Sequence, residues 1–252
     1  MTASYSDLEG RVVLVTGGGS GIGEAIVRGF ARQRSIVAFI DILEEPSRAL
    51  AQELAQAGAR VAFEPCDLTD IPALRQAIAK LASLLGPVQV LVNNAANDTR
   101  HATEEVTEAY WDERIAVNLK HQFFAAQAVL PGMKSAGAGS IINLGSTSWL
   151  VGQGGMAAYT ACKSAVIGLT RSLARDYGPY NIRVNAVAPG WIMTQRQIDN
   201  WVTPEAAAEL QARQCLKRGL EPREVAEFVL FLASDAASAC TNQHYVVDGG
   251  WT

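Results

Sequence analysis

A tyrosine and a lysine stand four residues apart in the segment Tyr159-Thr160-Ala161-Cys162-Lys163. On a helix this spacing puts both side chains on one face, one turn apart. A free phenol has a pKa near ~10 and is a poor base at neutral pH, but an adjacent ammonium group stabilises the phenolate. The pair therefore predicts proton transfer by Tyr159, with Lys163 lowering its pKa. The same spacing is also common on amphipathic helices that have no catalytic role.

A serine ends the apolar segment Ile141-Ile142-Asn143-Leu144-Gly145-Ser146. The C-terminal ends of strands near the middle of a parallel sheet are where ligands bind. We therefore expect the Ser146 hydroxyl to position a substrate oxygen beside Tyr159. Ser148 competes for this role, and an ordinary turn serine is the alternative.

A glycine cluster, Thr16-Gly17-Gly18-Gly19-Ser20-Gly21-Ile22-Gly23, separates an apolar segment from a helical pattern. Glycines allow the backbone to turn sharply and to lie against a pyrophosphate at the N-terminus of the following helix. A lone glycine cluster can be merely a tight turn, but a strand before it and a helix after it favour nucleotide binding.

A carboxylate, Asp41, ends the second apolar segment. At this position it can accept hydrogen bonds from both hydroxyls of a ribose and repel a 2′-phosphate. Neither Ser20 nor Ile42 offers a positive charge for that phosphate, which favours NAD over NADP. The alternative is a solvated acid at the end of a strand.

Two further segments fit the same nucleotide. Asp67 follows the third apolar segment, where it could meet the adenine amino group while Leu68 packs on the ring; taken alone, Asp67 could instead cap a helix. The fourth apolar segment runs into Asn93-Asn94-Ala95-Ala96, whose small residues leave room for a ribose. We interpret Asn93 as structural and Asn94 as facing the nucleotide.

Short apolar segments alternate with helical patterns along the whole chain. The predicted strands are Val12–Thr16, Ile36–Asp41, Val61–Glu64, Val88–Asn93, Ser140–Leu144, Ile182–Ala188 and Tyr245–Val247. The predicted helices are Gly21–Arg32, Pro46–Ala57, Pro72–Leu84, Ala109–Val129, Met156–Tyr177, Pro204–Leu216 and Pro222–Leu232. Because the strands are apolar on both faces, they predict an α/β fold, a Rossmann-like doubly wound, seven-stranded parallel sheet with helices on both faces. We expect one domain over residues 1–252, with residues 190–219 inserted as a substrate lid.

Composition narrows the class of protein. The 252 residues are 49% hydrophobic and 18% charged, and the net charge is −4. We expect no nucleic-acid partner, because no basic cluster is present, and no membrane span. The four cysteines are scattered, so they predict neither disulfides nor a metal site. The N-terminal segment is unlike a signal peptide, which favours a cytoplasmic location.

From about Gly10 onward the chain resembles a short-chain dehydrogenase/reductase. Gly17, Gly21 and Gly23 fit that family's TGxxxGxG motif, and Tyr159 with Lys163 fits its YxxxK motif. Asn93–Ala96 fits the family's NNAG motif with alanine in place of the last glycine, and Pro189–Thr194 fits its PGxxxT motif. Ser146 and Asn118 fit the positions of the family's motif serine and motif asparagine. Without the resemblance, Asn118 would be interpreted as a hydrogen-bonding residue inside a helix.

The resemblance implies a catalytic set and a cofactor site without a metal. Tyr159 takes the hydroxyl proton while a hydride passes to NAD, Ser146 fixes the substrate oxygen, and Asn118 holds a water in a proton relay through Lys163. The implied cofactor-binding residues are Gly17, Ser20, Gly21, Ile22, Gly23, Asp41, Ile42, Asp67, Leu68, Asn94, Ala95, Tyr159, Lys163, Pro189, Gly190, Ile192 and Thr194. The likeness also suggests a homotetramer, with interface helices around Ala109–Val129 and Met156–Tyr177.

Local segments such as 93–101, 145–149, 214–217 and 248–251 resemble the bacterial aldose 1-dehydrogenases, which oxidise a sugar hemiacetal at C1 to a lactone. The candidate sugar-binding residues are Asn97, Ser148, Trp149, Gln153, Trp191 and Gln195. Trp149 could equally be a core or subunit-contact residue, and Asn97 with Asp98 could cap the next helix. The rivals are a secondary-alcohol, polyol, 3-oxoacyl or hydroxysteroid dehydrogenase and, in another class, an NAD-binding regulator without catalysis.

Overall fold

The computed structural model of the chain describes residues 3–252 and contains the expected seven-stranded parallel sheet. Along the sheet the strands follow the order β3-β2-β1-β4-β5-β6-β7. The strands are β1 (Val12–Thr16), β2 (Ile36–Asp41), β3 (Val61–Pro65), β4 (Val90–Asn93), β5 (Gly139–Leu144), β6 (Ile182–Pro189) and β7 (His244–Val247). Alternate side chains point to opposite faces, so Val13 and Val15 enter one hydrophobic core while Val12 and Leu14 enter the other. The doubly wound α/β prediction is confirmed.

Helices cover both faces of this sheet. One core includes side chains of α1 (Gly21–Arg32), α2 (Glu44–Gln56) and α9 (Pro222–Ala233). The other includes side chains of α3 (Ile71–Leu85), α5 (His121–Ala136) and α6 (Ala157–Tyr177). No helix within residues 3–252 is both long enough and apolar enough to cross a membrane.

The single helix predicted for Ala109–Val129 is wrong in its continuity and in its end. The structure has α4 (Glu108–Ile115), a π-helical segment Ala116–Lys120 and then α5, which continues through Pro131 to Ala136. A π-helical turn accommodates one extra residue within a helix and is frequent at functional sites. The helix ends where Gly137 adopts the left-handed region, with φ at +63°.

The segment between β6 and α9 contains two helices, of which the sequence predicted one. Helix α7 (Gln195–Trp201) was not expected, and α8 (Pro204–Arg213) ends three residues before the predicted Leu216. Thr194 caps α7 by accepting a hydrogen bond from the Gln197 backbone. After α8 the buried Gln214 amide donates to the Arg218 carbonyl at 2.7 Å and so stabilises the segment 214–218. The remaining predicted bounds differ by one or two residues, as for α2, which begins at Glu44 rather than Pro46.

Candidate active site

A cavity of about 1330 Å³ opens along the C-terminal ends of the strands. It lies where β1 is flanked by β2 on one side and β4 on the other, so that the chain leaves β1 toward one edge of the sheet and leaves β3 for β4 on the other side of β1. Ligands of doubly wound folds bind at this switch point. Every residue predicted to contact the cofactor lines the cavity.

The glycine loop is folded so tightly that side chains are excluded at two positions. Gly17 has φ at +66°, and a Cβ there would lie 2.7 Å from Ala95 Cα; a Cβ on Gly23 would lie 1.7 Å from the Gly17 carbonyl oxygen. Asn94 was expected to face the nucleotide, but its amide nitrogen donates to the carbonyls of Thr16 at 3.1 Å and Gly17 at 2.8 Å. Its side chain therefore holds the loop.

The N-terminus of α1 fits a phosphate group. Ser20 is its N-cap residue, but the Ser20 side chain makes no capping hydrogen bond and so does not accept one from the first backbone N–H groups of the helix. Such groups, together with the helix dipole, bind anions. Thr194 lies over this turn, since a Cβ on Gly21 would be 3.2 Å from its methyl group. These residues together could enclose a pyrophosphate.

Two carboxylates lie where the ribose and the base of a nucleotide were expected. Asp41 is buried and accepts hydrogen bonds from the Gly19 backbone at 2.8 Å and the Leu43 backbone at 2.9 Å, one on each oxygen. Each oxygen keeps further acceptor capacity for a hydroxyl. Asp67 accepts hydrogen bonds from Thr69, whereas the N-cap of α3 is Asp70. The capping alternative for Asp67 is therefore wrong.

Tyr159 and Lys163 lie on one face of α6, as their spacing predicted. Lys163 is only 1% exposed, its ammonium group donates to the Leu144 carbonyl at 2.8 Å, and it lies 5.5 Å from the centroid of the Tyr159 ring. Burial lowers the pKa of Lys163 to about 8, so the group is mainly charged at pH 7. A buried positive charge is thus held beside the phenol.

Burial raises the pKa of Tyr159 above 10.0, and the negative charge of Asp98 raises it further. A hydrogen bond with Ser146 lowers this pKa and joins the two hydroxyl groups predicted to act together. The Ser146 hydroxyl also accepts a hydrogen bond from the Ser148 backbone at 3.1 Å. The ligand-free chain therefore favours the neutral phenol, and forming phenolate at neutral pH needs positive charge from Lys163 and from a bound nicotinamide cation.

Asn118 lies in the π-helical segment, fully buried and outside the lining of the cavity. Its oxygen accepts a hydrogen bond from the Asn97 backbone at 2.8 Å. Its amide nitrogen donates to the carbonyls of Asn97 at 3.1 Å and Arg114 at 3.0 Å. The side chain thus fits the interpretation of a hydrogen-bonding residue inside a helix, and it fixes the loop that follows β4.

A layer of buried polar side chains links the elements that carry Tyr159, Lys163 and Ser146. The Asn93 amide donates to Asn143 at 2.9 Å, and the Asn143 amide donates to Thr170 at 3.0 Å, which links β4, β5 and α6. His121 is also fully buried, and its Nε2–H donates to the Ala95 carbonyl at 3.1 Å. Burial and the positive charge of Lys163 lower the pKa of His121 to about 3, so this imidazole is neutral.

Five of the six candidate sugar-binding residues line the cavity: Asn97, Ser148, Gln153, Trp191 and Gln195. Trp149 does not; its ring packs against His244 of β7, with the centroids 6.0 Å apart. The alternative of a packing residue fits Trp149, because its ring contacts a side chain of β7 and does not line the cavity.

The cavity also contains charged residues that the sequence did not single out. Asp98 forms an ion pair with Arg196 of α7 at 3.2 Å and accepts a hydrogen bond from Gln197 at 2.6 Å. The partners are almost a hundred residues apart, so no local pattern could reveal them. Trp251, near the C-terminus, lines the cavity as well.

Comparison with known proteins agrees with this architecture. A family model described as enoyl-(acyl carrier protein) reductase matches residues 17–252. The chain is 50% identical over 250 residues to the D-xylose 1-dehydrogenase of Caulobacter vibrioides (strain NA1000 / CB15N), covering 99% of both chains. It is also 50% identical over 250 residues to the Probable galactose dehydrogenase GalD of Rhizobium meliloti (strain 1021), covering 99% of this chain and 98% of that one.

Among solved structures, the 3-oxoacyl-[acyl-carrier protein] reductase of Brucella melitensis ATCC 23457 superposes with a TM-score of 0.91 at 34% identity. The match covers 98% of this chain and 94% of that chain. With its sheet order, its glycine loop and its Tyr159–Lys163 pair, the chain belongs to the short-chain dehydrogenase/reductase family and is an oxidoreductase.

Proposed function

We propose that the protein is an NAD-dependent aldose 1-dehydrogenase, which oxidises the C1 hydroxyl of a cyclic sugar to a lactone. The observation that carries this proposal is the full-length 50% identity to relatives named D-xylose 1-dehydrogenase and galactose dehydrogenase. The cavity supports it, because amide side chains at Gln153 and Gln195 and the indole of Trp191 line the same cavity as Tyr159. Such a mixture of hydrogen-bonding groups and aromatic faces suits a sugar.

NAD is the proposed cofactor, and the cofactor-binding residues predicted from the sequence would hold it. When bound, the oxidised nicotinamide supplies the hydride acceptor and a positive charge. The free acceptor capacity of Asp41 would take the two ribose hydroxyls, and its negative charge would repel the 2′-phosphate of NADP. The α1 N-terminus would bind the pyrophosphate.

The chain's own residues position the hydroxyl group and move its proton. Ser146 and Tyr159 would hold the C1 hydroxyl, and Tyr159 as phenolate would accept its proton as general base. Lys163 stabilises the phenolate by its charge, and general-base assistance of this kind is worth typically ~10²–10⁴-fold in rate. Asn118 fixes the loop over the site, and its part in a proton relay through Lys163 belongs to this proposal.

We also propose that the protein acts in the cytoplasm as a homotetramer. Trp111 on α4 and Phe123 on α5 are each 40% exposed, which is high for large apolar side chains. Both lie within the predicted interface region, so a second copy could cover them. Light scattering of the purified protein measures the mass of the assembly directly.

The function is tested by following NADH formation with D-xylose, L-arabinose, D-galactose, several polyols and a hydroxyacyl compound. We expect turnover of at least one aldose, none with Tyr159→Phe, and NAD binding that is still measurable in that variant. Tyr180→Phe is the matched control, because Tyr180 is an exposed residue outside the cavity and its loss should leave turnover intact. Turnover of a polyol or a hydroxyacyl compound but of no aldose would overturn the proposal.

A further inference from the structure

We propose that Asp98 determines the specificity of this site by accepting hydrogen bonds from sugar hydroxyls other than the one that reacts. The inference rests on the proposed function, because it concerns how the same cavity recognises a polyhydroxylated ligand. Asp98 lies in the segment 93–101 but was not among the candidate sugar-binding residues, and four observations support its role.

The first observation is that the backbone beside Asp98 is fixed from within the catalytic region. The fully buried Asn118 side chain accepts from the Asn97 N–H at 2.8 Å and donates to the Asn97 carbonyl at 3.1 Å. Because both the N–H and the carbonyl of Asn97 are held in this way, the backbone that leads into Asp98 has little freedom to move. Asp98 is therefore a preorganised group, as binding residues need to be.

The second observation is that the Asp98 carboxylate is held in place by hydrogen bonds but keeps free capacity to accept more of them. Arg196 Nε approaches one oxygen at 3.2 Å and Gln197 Nε2 donates to the other at 2.6 Å. The Gln197 amide is itself oriented, because its oxygen accepts from Trp191 Nε1 at 3.0 Å. A carboxylate has about four acceptor sites, so Asp98 keeps two or so for a ligand. Its side chain is 23% exposed, and it lines the cavity.

The third observation is electrostatic. Asp98 lines the same cavity as Tyr159 and Lys163, and its negative charge raises the pKa of both groups. A negative charge beside Tyr159 opposes phenolate formation and therefore works against a general base. A compensating benefit is expected, and recognition of the substrate supplies one.

The fourth observation concerns which ligands such a group accepts. Hydroxyls donate strong, charge-assisted hydrogen bonds to a carboxylate. An apolar ligand such as a steroid or a fatty acyl chain would instead bury Asp98 without replacing its water, which is costly. The same residue thus favours polyols and cyclic sugars and disfavours lipids, a form of specificity that uses repulsion as well as attraction.

The test separates binding from chemistry. Calorimetric titration of D-xylose into the NAD-loaded Tyr159→Phe protein measures sugar affinity without turnover. We expect Asp98→Asn in this background to weaken sugar binding by about 10- to 100-fold, the range for a lost hydrogen bond to a charged group, with NAD affinity unchanged. Arg196→Met is the matched control, since it removes the ion pair and keeps the carboxylate. It should weaken sugar binding far less.

Deoxy sugars and pH profiles exclude a purely structural role. A monodeoxy xylose that lacks the recognised hydroxyl should bind the Asp98→Asn protein as well as D-xylose does. In proteins that retain Tyr159, the apparent pKa of kcat should fall in Asp98→Asn, which removes a negative charge near the phenol, and rise in Arg196→Met, which removes a positive one. If the Asp98–Arg196 ion pair only stabilised the local structure, Asp98→Asn and Arg196→Met would lose the same amount of sugar affinity.

The outcomes of this inference and of the proposed function are distinguishable. If the Tyr159→Phe protein binds none of the aldoses in the panel, the proposed function fails. If it binds D-xylose and Asp98→Asn binds it equally well, with the same sensitivity to deoxygenation, Asp98 does not recognise the sugar and the inference fails.

Discussion

Replacing Lys163 by methionine should make the protein more stable and nearly inactive. Burial lowers the pKa of Lys163 from 10.5 to about 8, and this difference corresponds to about 3 kcal/mol at 1.36 kcal/mol per pH unit. Methionine has a similar length and no charge, so this cost disappears. The Leu144 carbonyl loses its 2.8 Å bond from the ammonium group, which costs about 1–2 kcal/mol. The net expectation is a gain of about 1–2 kcal/mol in the free energy of unfolding.

The pH dependence of this gain follows from proton linkage. Between pH 8 and pH 10.5 the unfolded lysine binds its proton more tightly than the folded one does. The cost of burying the charge is therefore fully present below pH 8 and is lost as the pH rises toward 10.5. The difference in stability between Lys163→Met and the natural protein should accordingly be largest at pH 7 and shrink above pH 8.

Urea unfolding followed by circular dichroism, at one fixed protein concentration and without NAD, measures this difference. Lys80→Met is the control: Lys80 is exposed and pairs with Glu64, so its loss should change stability by no more than about 0.5 kcal/mol. With the proposed substrate, kcat/KM of Lys163→Met should fall by at least ~10²-fold. A less stable Lys163→Met protein at pH 7, or one with full activity, would refute this reasoning.

Three other changes probe the cofactor site and the buried polar layer. Burial lowers the pKa of His121 from 6.5 to about 3, so between these pH values only the unfolded chain takes up a proton, and the free energy of unfolding falls as the pH drops below 6.5. At pH 5 this loss should be about 2 kcal/mol. Urea unfolding at pH 7 and pH 5 should show the loss in the natural protein but not in His121→Gln. Gly23→Ala places a Cβ 1.7 Å from the Gly17 carbonyl oxygen, so NAD binding measured by calorimetry should be lost, and an unchanged affinity would contradict the loop geometry. Asp41→Ala should weaken NAD binding by about 10- to 100-fold and bring NADP closer to it in kcat/KM, whereas a natural protein that already prefers NADP would disprove the role given to Asp41.

The sequence predicted the sheet well because buried parallel strands have a simple signature. Val12–Thr16 and Ile36–Asp41 match the structure at both ends, since each is apolar on both faces and bounded by turn residues. Helices defined by a clear apolar stripe, such as Gly21–Arg32, were equally well bounded. These features depend on neighbouring residues only.

Features that depend on tertiary contacts were missed. The π-helical segment Ala116–Lys120 interrupts a pattern that reads as one helix, and its Asn118 is satisfied by Asn97, which lies elsewhere in the chain. Helix α7 has only seven residues, too few to show an apolar stripe. The predicted helix stopped at Val129, whereas α5 continues through Pro131 to Ala136, so this helix tolerates the one backbone hydrogen bond that an internal proline removes.

The site itself was predicted in part. The predicted cofactor residues, together with Ser146, Tyr159 and Lys163, line one cavity because each follows the C-terminal end of a strand or faces it from α6, whereas Asn118 lies outside its lining. Trp149 lies outside the cavity lining and its ring packs against His244, which fits the alternative of a packing residue. The contacts of Asp98 could not be predicted, since its partners Arg196 and Gln197 come from a distant helix. The proposed specificity contact depends on such long-range pairs, which a single sequence does not display.

The most direct test of the account is to follow the hydrogen at C1 of the sugar. D-xylose carrying deuterium at C1 is incubated with NAD and the natural protein, and the reduced cofactor and the sugar product are examined by mass spectrometry and NMR. We predict that the deuterium appears in the reduced cofactor, that a lactone forms in equal amount, and that Tyr159→Phe forms neither. Reduced cofactor without deuterium, or a product with its new carbonyl group at another carbon, would contradict the account.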